Sequence, residues 1–221
     1  MHQARRAVLF DLDGTLIHSL PDLTAALNRI LAEEGRAAVT EADVGPMVGD
    51  GAHTLVERAF AARGGLPGPV EPLLKRFLDF YEANATVLTR PFPQVVDTLI
   101  RLKQHGVALA VCTNKPTAAT REILRALDLE QYFAVVVGGD DTPALKPNPV
   151  HVDTVLDRLG VAREAAVFVG DSVNDVLAAK GAGLPCIVVS FGYSRTPASE
   201  LGANLVVDEF RYVGDAVIGR D

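Results

Sequence analysis

Apolar residues fall along this chain in two rhythms. Short unbroken runs recur at Ala7-Val8-Leu9-Phe10, Val107 to Cys112, Ala134 to Val137, Ala165 to Val169 and Cys186 to Val189. A strand with one wet face alternates apolar and polar positions, whereas a run without alternation is buried on both faces, as in a parallel sheet. Between most of these runs the spacing turns helical. Val152, Val155, Leu156 and Leu159 follow the i, i+3, i+4, i+7 rule behind Asn148 and Pro149, which suit a cap and a first turn. The alternation holds from about residue 91 onward and predicts an α/β fold with a doubly wound, Rossmann-like parallel sheet.

Residues 16–89 break the pattern and offer no strand. Leu23, Leu27, Ile30 and Leu31 make one amphipathic face, and Val70, Leu73, Leu74, Phe77, Leu78 and Tyr81 make another. Between them Leu55, Val56, Ala59 and Phe60 mark a further helix, and Thr40 with Asp43 has the spacing of a helix start. The run Gly64 to Pro69 is a turn cluster. The expected organisation is a core domain of residues 1–15 and 90–221 with an all-helical cap domain, 16–89, inserted after the first strand. Lids over pockets are commonly built this way.

Charge narrows the partners. Across 221 residues, Lys and Arg total 21 against 28 Asp and Glu, a formal net charge of -7. Nucleic acids and anionic membranes recruit basic surfaces, so neither is an expected partner. A small phosphorylated metabolite needs positive charge in one pocket only. Cys112 and Cys186 each sit inside an apolar run and read as buried, unreactive thiols, which fits a reducing compartment. Arg5 and Arg6 precede an apolar stretch, but Asp11 interrupts it too soon for a signal-peptide core, and no run approaches a membrane span. The expectation is a cytoplasmic protein, monomer or homodimer.

Candidate chemistry lies where the strands end, because open α/β sheets bind ligands at their carboxyl edge. The first strand runs into Phe10-Asp11-Leu12-Asp13-Gly14-Thr15-Leu16, which puts Asp11 and Asp13 on one side of an extended chain. Two carboxylates there repel, so positive charge is expected nearby. Thr113-Asn114-Lys115-Pro116 follows the second core strand and offers a hydroxyl and an amide near a helix start, where anions bind. Lys146 sits in a loop fixed by Pro147 and Pro149. Gly170-Asp171-Ser172-Val173-Asn174-Asp175 follows a further strand. Ser172 and Asp175 have capping-box spacing, which leaves Asp171 at the strand tip unexplained by helix capping. An oxygen-rich carboxylate cluster suits Mg²⁺, and there is no Cys/His set for zinc.

In this order the four segments resemble the haloacid dehalogenase superfamily, in its phosphatase branch with a helical cap after the first strand. The resemblance implies Asp11 as nucleophile and metal ligand, and Asp13 as general acid and base with its main-chain carbonyl on the metal. It implies Thr113 and Lys146 on the phosphoryl oxygens, Asp171 as a Mg²⁺ ligand, and Asp175 as a ligand directly or through water. Relatives commonly carry an acid before Ser19 where this chain has His18, at the hinge into the cap. Strings such as VGDGAHTLVERA and VCTNKP are similar to those of bacterial phosphoglycolate phosphatases, so 2-phosphoglycolate is the expected substrate. The Gly49-Asp50-Gly51 loop and Asn114 join the expected substrate-binding set, with Arg58 or His53 as added charge. A β-phosphoglucomutase-like mutase and a broader sugar-phosphate phosphatase stay open. A signalling receiver domain is the alternative of another class, although receivers are shorter and lack the insertion.

Overall fold

The computed structural model describes residues 6–219; His2 and Arg5 lie outside them. The strands are β1 Ala7–Phe10, β2 Ile17–His18, β3 Arg90–Pro91, β4 Ala108–Cys112, β5 Val135–Val137, β6 Ala166–Gly170, β7 Cys186–Val189 and β8 Leu205–Val207. The helices are α1 Leu20–Glu33, α2 Glu41–Val44, α3 Ala52–Ala61, α4 Val70–Asn84, α5 Val95–Gln104, α6 Thr117–Ala126, α7 Val150–Leu159, α8 Val173–Gly181 and α9 Arg211–Ile218. Six strands form one parallel sheet in the order β5-β4-β1-β6-β7-β8.

Both sheet faces are covered, and the strands divide their side chains between them residue by residue. Val8 and Phe10 join Leu99, Leu102, Val111 and Val213 on the face that carries α5, α6 and α9. Ala7 and Leu9 join Val152, Val155, Phe168 and Val176 on the face of α7 and α8. Period-two alternation is therefore present, but both phases are apolar, which is why the runs in the sequence are unbroken. Cys112 and Cys186 are buried in the second layer and unpaired. No helix among the described residues is long and apolar enough to cross a membrane.

All of α1 to α4 lies between β2 and β3. Leu23, Leu27, Ile30 and Leu31 of α1 pack with Leu55, Val56 and Phe60 of α3 and Leu73 and Phe77 of α4. Thr40 and Asp43 form the reciprocal cap at the start of α2. Two features of the boundary escaped the periodicity. The chain leaves and re-enters through an antiparallel ribbon, Ile17 opposite Pro91 and His18 opposite Arg90, too short to show a period. Behind it, buried Asp22 accepts the N–H groups of Leu88 and Thr89 and the Thr89 hydroxyl at 2.8–3.0 Å, which fastens the two ends of the insertion together.

Candidate active site

Register decides what meets at the sheet edge. Phe10 lies level with Val111 of β4 and Val169 of β6, so Asp11, Thr113 and Asp171 leave their strands at nearly the same height. The chain runs outward through β4 and β5 on one side of β1, then returns as β6 on the other. That reversal leaves a crevice at the carboxyl end of β1. A cavity of about 410 Å³ opens there, within the usual range for a ligand pocket. Asp11, Asp13, Thr113, Asn114, Lys146, Asp171 and Asp175 line it from the sheet side, and Gly49, Asp50 and Gly51 from the helical insertion.

Lys146 is the hub. Its buried ammonium donates to Asp11 Oδ1 at 2.7 Å, Asp175 Oδ1 at 2.7 Å and the Cys112 carbonyl at 2.8 Å. All three of its donors are taken. Burial opposes its charge, yet Asp11 and Asp175 outweigh that and hold the ammonium above its ordinary range. The other oxygen of Asp175 accepts the N–H groups of Asp171 and Ser172 and the Ser172 hydroxyl, so one carboxylate both caps α8 and grips the lysine. Asp171 accepts the Tyr193 N–H at 2.6 Å and the Thr15 hydroxyl at 3.3 Å.

The acids are crowded. Burial pushes the Asp11 carboxyl up to about 7 against the pull of Lys146. Asp171 is raised well above the usual carboxylate range by burial, then by the charges of Asp175 and Asp11. Oxygens of Asp11, Asp171 and Asp175 lie within 4.8 Å of one another. One ammonium does not balance three carboxylates, and the donors are all hard oxygens. The residues fit a small divalent cation of the Mg²⁺ type.

Asp13 has a different partner. Its Oδ2 pairs with Lys115 Nζ at 2.9 Å, and its Oδ1 is buried with no hydrogen-bond partner. Lys115 also donates to the Tyr81 hydroxyl at 3.2 Å and lies 4.7 Å from the centre of that ring. Tyr81 comes from α4, so this contact joins the insertion to the sheet edge. The sequence places Tyr81 on an amphipathic helix face and gives Lys115 no role of its own. The available signal was that Lys115 stands two residues beyond Thr113 at the same strand end.

The loop from the insertion is tied down by the core. Gly49 and Gly51 take φ of 114° and 87°, values that favour glycine. Asn114 donates to the carbonyls of Gly49 and Lys146 at 2.8 and 2.9 Å and accepts the Lys146 N–H at 2.8 Å. Both of its amide protons thus go to protein carbonyls. Asn174 and Arg58 hold the Asp50 carboxylate, and Arg195 reaches the Pro46 carbonyl. Arg58 lines the cavity. His53 does not, and pairs with Glu57 one helical turn on.

Residues 8–189 match the sequence profile of the haloacid dehalogenase-like hydrolases. The chain belongs to that family. It is similar to the phosphoglycolate phosphatase of Rhodospirillum rubrum, 45% identical over 95% of this chain and 90% of that one. It is 46% identical to the phosphoglycolate phosphatase of Caulobacter vibrioides over 96% of this chain and 90% of that one. The crystal structure of a predicted phosphoglycolate phosphatase from Haemophilus somnus superposes with a TM-score of 0.89 at 31% identity, covering 96% of this chain and 98% of that one.

In this haloacid dehalogenase-like hydrolase the hinge is wired to the site through Tyr193. The Tyr193 hydroxyl accepts the Ser19 N–H at 2.8 Å and lies 3.0 Å from His18 Nδ1, while its main-chain N–H holds Asp171. His18 packs on Phe92 and Tyr193 in the ribbon that leads into the helical insertion. Tyr193 follows β7, one more strand whose carboxyl end faces the crevice, and the sequence reading stopped one strand short of it.

A second histidine carries a prediction. His151 of α7 is fully buried, with its imidazole beside the Val137 backbone. Burial, reinforced by the charge of Lys146, pushes its imidazole down to about 4. The unfolded chain takes up a proton there near pH 6.5, while the folded chain does so only near pH 4. Folded stability therefore falls on acidification through that window, by about 3 kcal/mol in full. Urea unfolding at pH 7 and pH 4.5 should show a smaller acid loss in His151→Leu than in the wild type. Equal losses would remove the assignment.

Proposed function

We propose that the chain hydrolyses a small phosphate monoester, 2-phosphoglycolate, to glycolate and phosphate through a phospho-aspartyl intermediate on Asp11. The observation that carries the reading is the pairing of two carboxylates with two lysines in one cavity: Asp11 on Lys146, Asp13 on Lys115. Phosphate-ester hydrolysis is extremely slow without a catalyst, and a carboxylate nucleophile divides it into two easier steps. An Asp11 oxygen attacks phosphorus as the bond to the leaving oxygen breaks, and Asp13 gives that oxygen a proton. Ionised Asp13 then takes a proton from water, which attacks the phosphoryl group and releases phosphate and free Asp11. The Thr113 hydroxyl donates to the phosphoryl oxygens, and the Lys146 charge beside Asp11 offsets theirs. Asn114 and the Gly49-Asp50-Gly51 loop close the cavity around the leaving group.

Asp11, Asp171, Asp175 and the Asp13 carbonyl would hold Mg²⁺, which offsets the repulsion between Asp11 and a dianionic phosphate. Dialysis against a chelator should stop turnover and leave the far-UV circular dichroism spectrum unchanged. Full activity after exhaustive chelation would mean that the carboxylate cluster does not serve a metal.

The substrate rests on the names of the relatives and on the anion-binding character of the cavity. The metabolite is small and the setting is the cytoplasm. Ethyl phosphate has the same carbon count and no carboxylate. Losing a charge-assisted hydrogen bond in a closed site costs about 2 kcal/mol or more, so kcat/KM should favour 2-phosphoglycolate by at least ~30-fold. Equal values would leave the phosphatase chemistry standing and remove the substrate.

A further inference from the structure

A two-carbon leaving group offers little to recognise besides its carboxylate, so some cation in the cavity has to meet it. Four cationic residues line the cavity: Arg58, Lys115, Lys146 and Arg195. Lys146 has all three donors taken by Asp11, Asp175 and Cys112. Arg58 is bound to Asp50, which Asn174 also holds, and Arg195 reaches across to the Pro46 carbonyl. Lys115 differs. Its side chain is only 8% exposed, against 30% for Arg58 and an exposed Arg195, so of these three it alone is largely dry, and Asp13 and Tyr81 take two of its three ammonium protons.

Position separates Lys115 further. The leaving oxygen must lie against Asp13, and Lys115 Nζ stands 2.9 Å from Asp13 Oδ2. In 2-phosphoglycolate the carboxylate oxygens lie about 3 Å from the ester oxygen, two covalent bonds away from its carbon neighbour. A leaving group placed for protonation thus carries its carboxylate into the reach of Lys115. The ammonium is held from two sides, by Asp13 of the β1 loop and by the ring and hydroxyl of Tyr81 on α4. It is pre-positioned and largely dry, conditions under which a charge-assisted hydrogen bond is strong.

We propose that Lys115 is the specificity-determining residue that binds the substrate carboxylate. The proposal rests on the phosphoglycolate reading above and names the group that enforces it.

The test is kcat/KM of the full chain with Mg²⁺ for 2-phosphoglycolate and for ethyl phosphate, in the wild type, Lys115→Met and Arg58→Met. Lys115→Met also removes the partner of Asp13, but that loss acts on both esters and cancels in their ratio. The ratio should fall by ~30-fold or more in Lys115→Met and stay within about threefold of the wild type in Arg58→Met. Lys115→Gln retains a donor toward Asp13 and Tyr81 without the charge, and it should lose the preference as well. It serves if the methionine variant does not fold, with competitive inhibition by inorganic phosphate reporting an intact site. A preference that survives in both Lys115 variants, or that disappears in Arg58→Met instead, overturns the proposal. A wild type with no preference overturns the phosphoglycolate reading first, and the assignment of Lys115 with it.

Discussion

Asp11→Asn should lower kcat by at least ~10⁴, because an amide oxygen does not displace an alkoxide from phosphorus. The same substitution should raise the thermal midpoint of the metal-free protein at pH 8. Burial holds the Asp11 carboxyl up to about 7, so at pH 8 the fold carries a charge that its surroundings disfavour. A carboxyl raised in the folded state stabilises at low pH, and that contribution is lost as pH climbs through its folded value. Asparagine can still accept from Lys146, which keeps Asp175 as its counter-charge. The gain in midpoint should therefore shrink toward pH 5. Wild-type turnover in the variant would exclude Asp11 as the nucleophile. A lower midpoint at pH 8 would mean that Lys146 stabilises the Asp11 charge by more than burial opposes it.

Lys146→Met should be the most damaging single change in the site. It removes three hydrogen bonds at once and leaves Asp11, Asp171 and Asp175 crowded without a cation. Breaking one side of a buried ion pair costs about 3–5 kcal/mol. That cost should be largest at pH 8 and smaller at pH 5, where the raised carboxyls of Asp11 and Asp171 take up protons instead of repelling one another. Activity should fall by ~10³ even at saturating Mg²⁺, the scale on which one preorganised donor acts. Chemical denaturation of metal-free protein across that pH range reads the first effect. A pH-independent loss of stability would indicate a packing defect around Phe168, which the ammonium overlies at 5.3 Å, in place of an electrostatic one.

The parts of the fold that could be read from the sequence were those with local signatures. Unbroken runs such as Ala7–Phe10 mark strands buried on two sides because both faces of this sheet are covered. The Asp-x-Asp string and the Gly-Asp-Ser-x-x-Asp string carry their chemistry within a few residues. Strand β8 is a run of only three apolar residues, Leu205 to Val207, between Asn204 and Asp208, too short to stand out as a strand. Pairings across distance were invisible for another reason. Nothing near Lys115 says that it turns to Asp13 and not to solvent, and nothing near Tyr81 says that its hydroxyl reaches another element. Such contacts arise only when register brings separate strand ends to one height. Asp175 shows the converse: its capping role was legible from spacing, while its bond to Lys146 depends on the fold.

The Tyr193 link bears on how such an enzyme can be re-engineered. Residues 19–89 look like a cassette that enters and leaves through one ribbon, convenient to exchange for the lid of a relative with another substrate. Yet the Ser19 N–H at its entrance is bound by the same residue whose main chain steadies Asp171. A transplanted lid that enters at a different angle would shift Tyr193 and, through it, an acid at the centre of the site. Successful chimeras should therefore carry the Phe191-Gly192-Tyr193 segment together with the lid, as a two-piece graft whose halves are far apart in sequence.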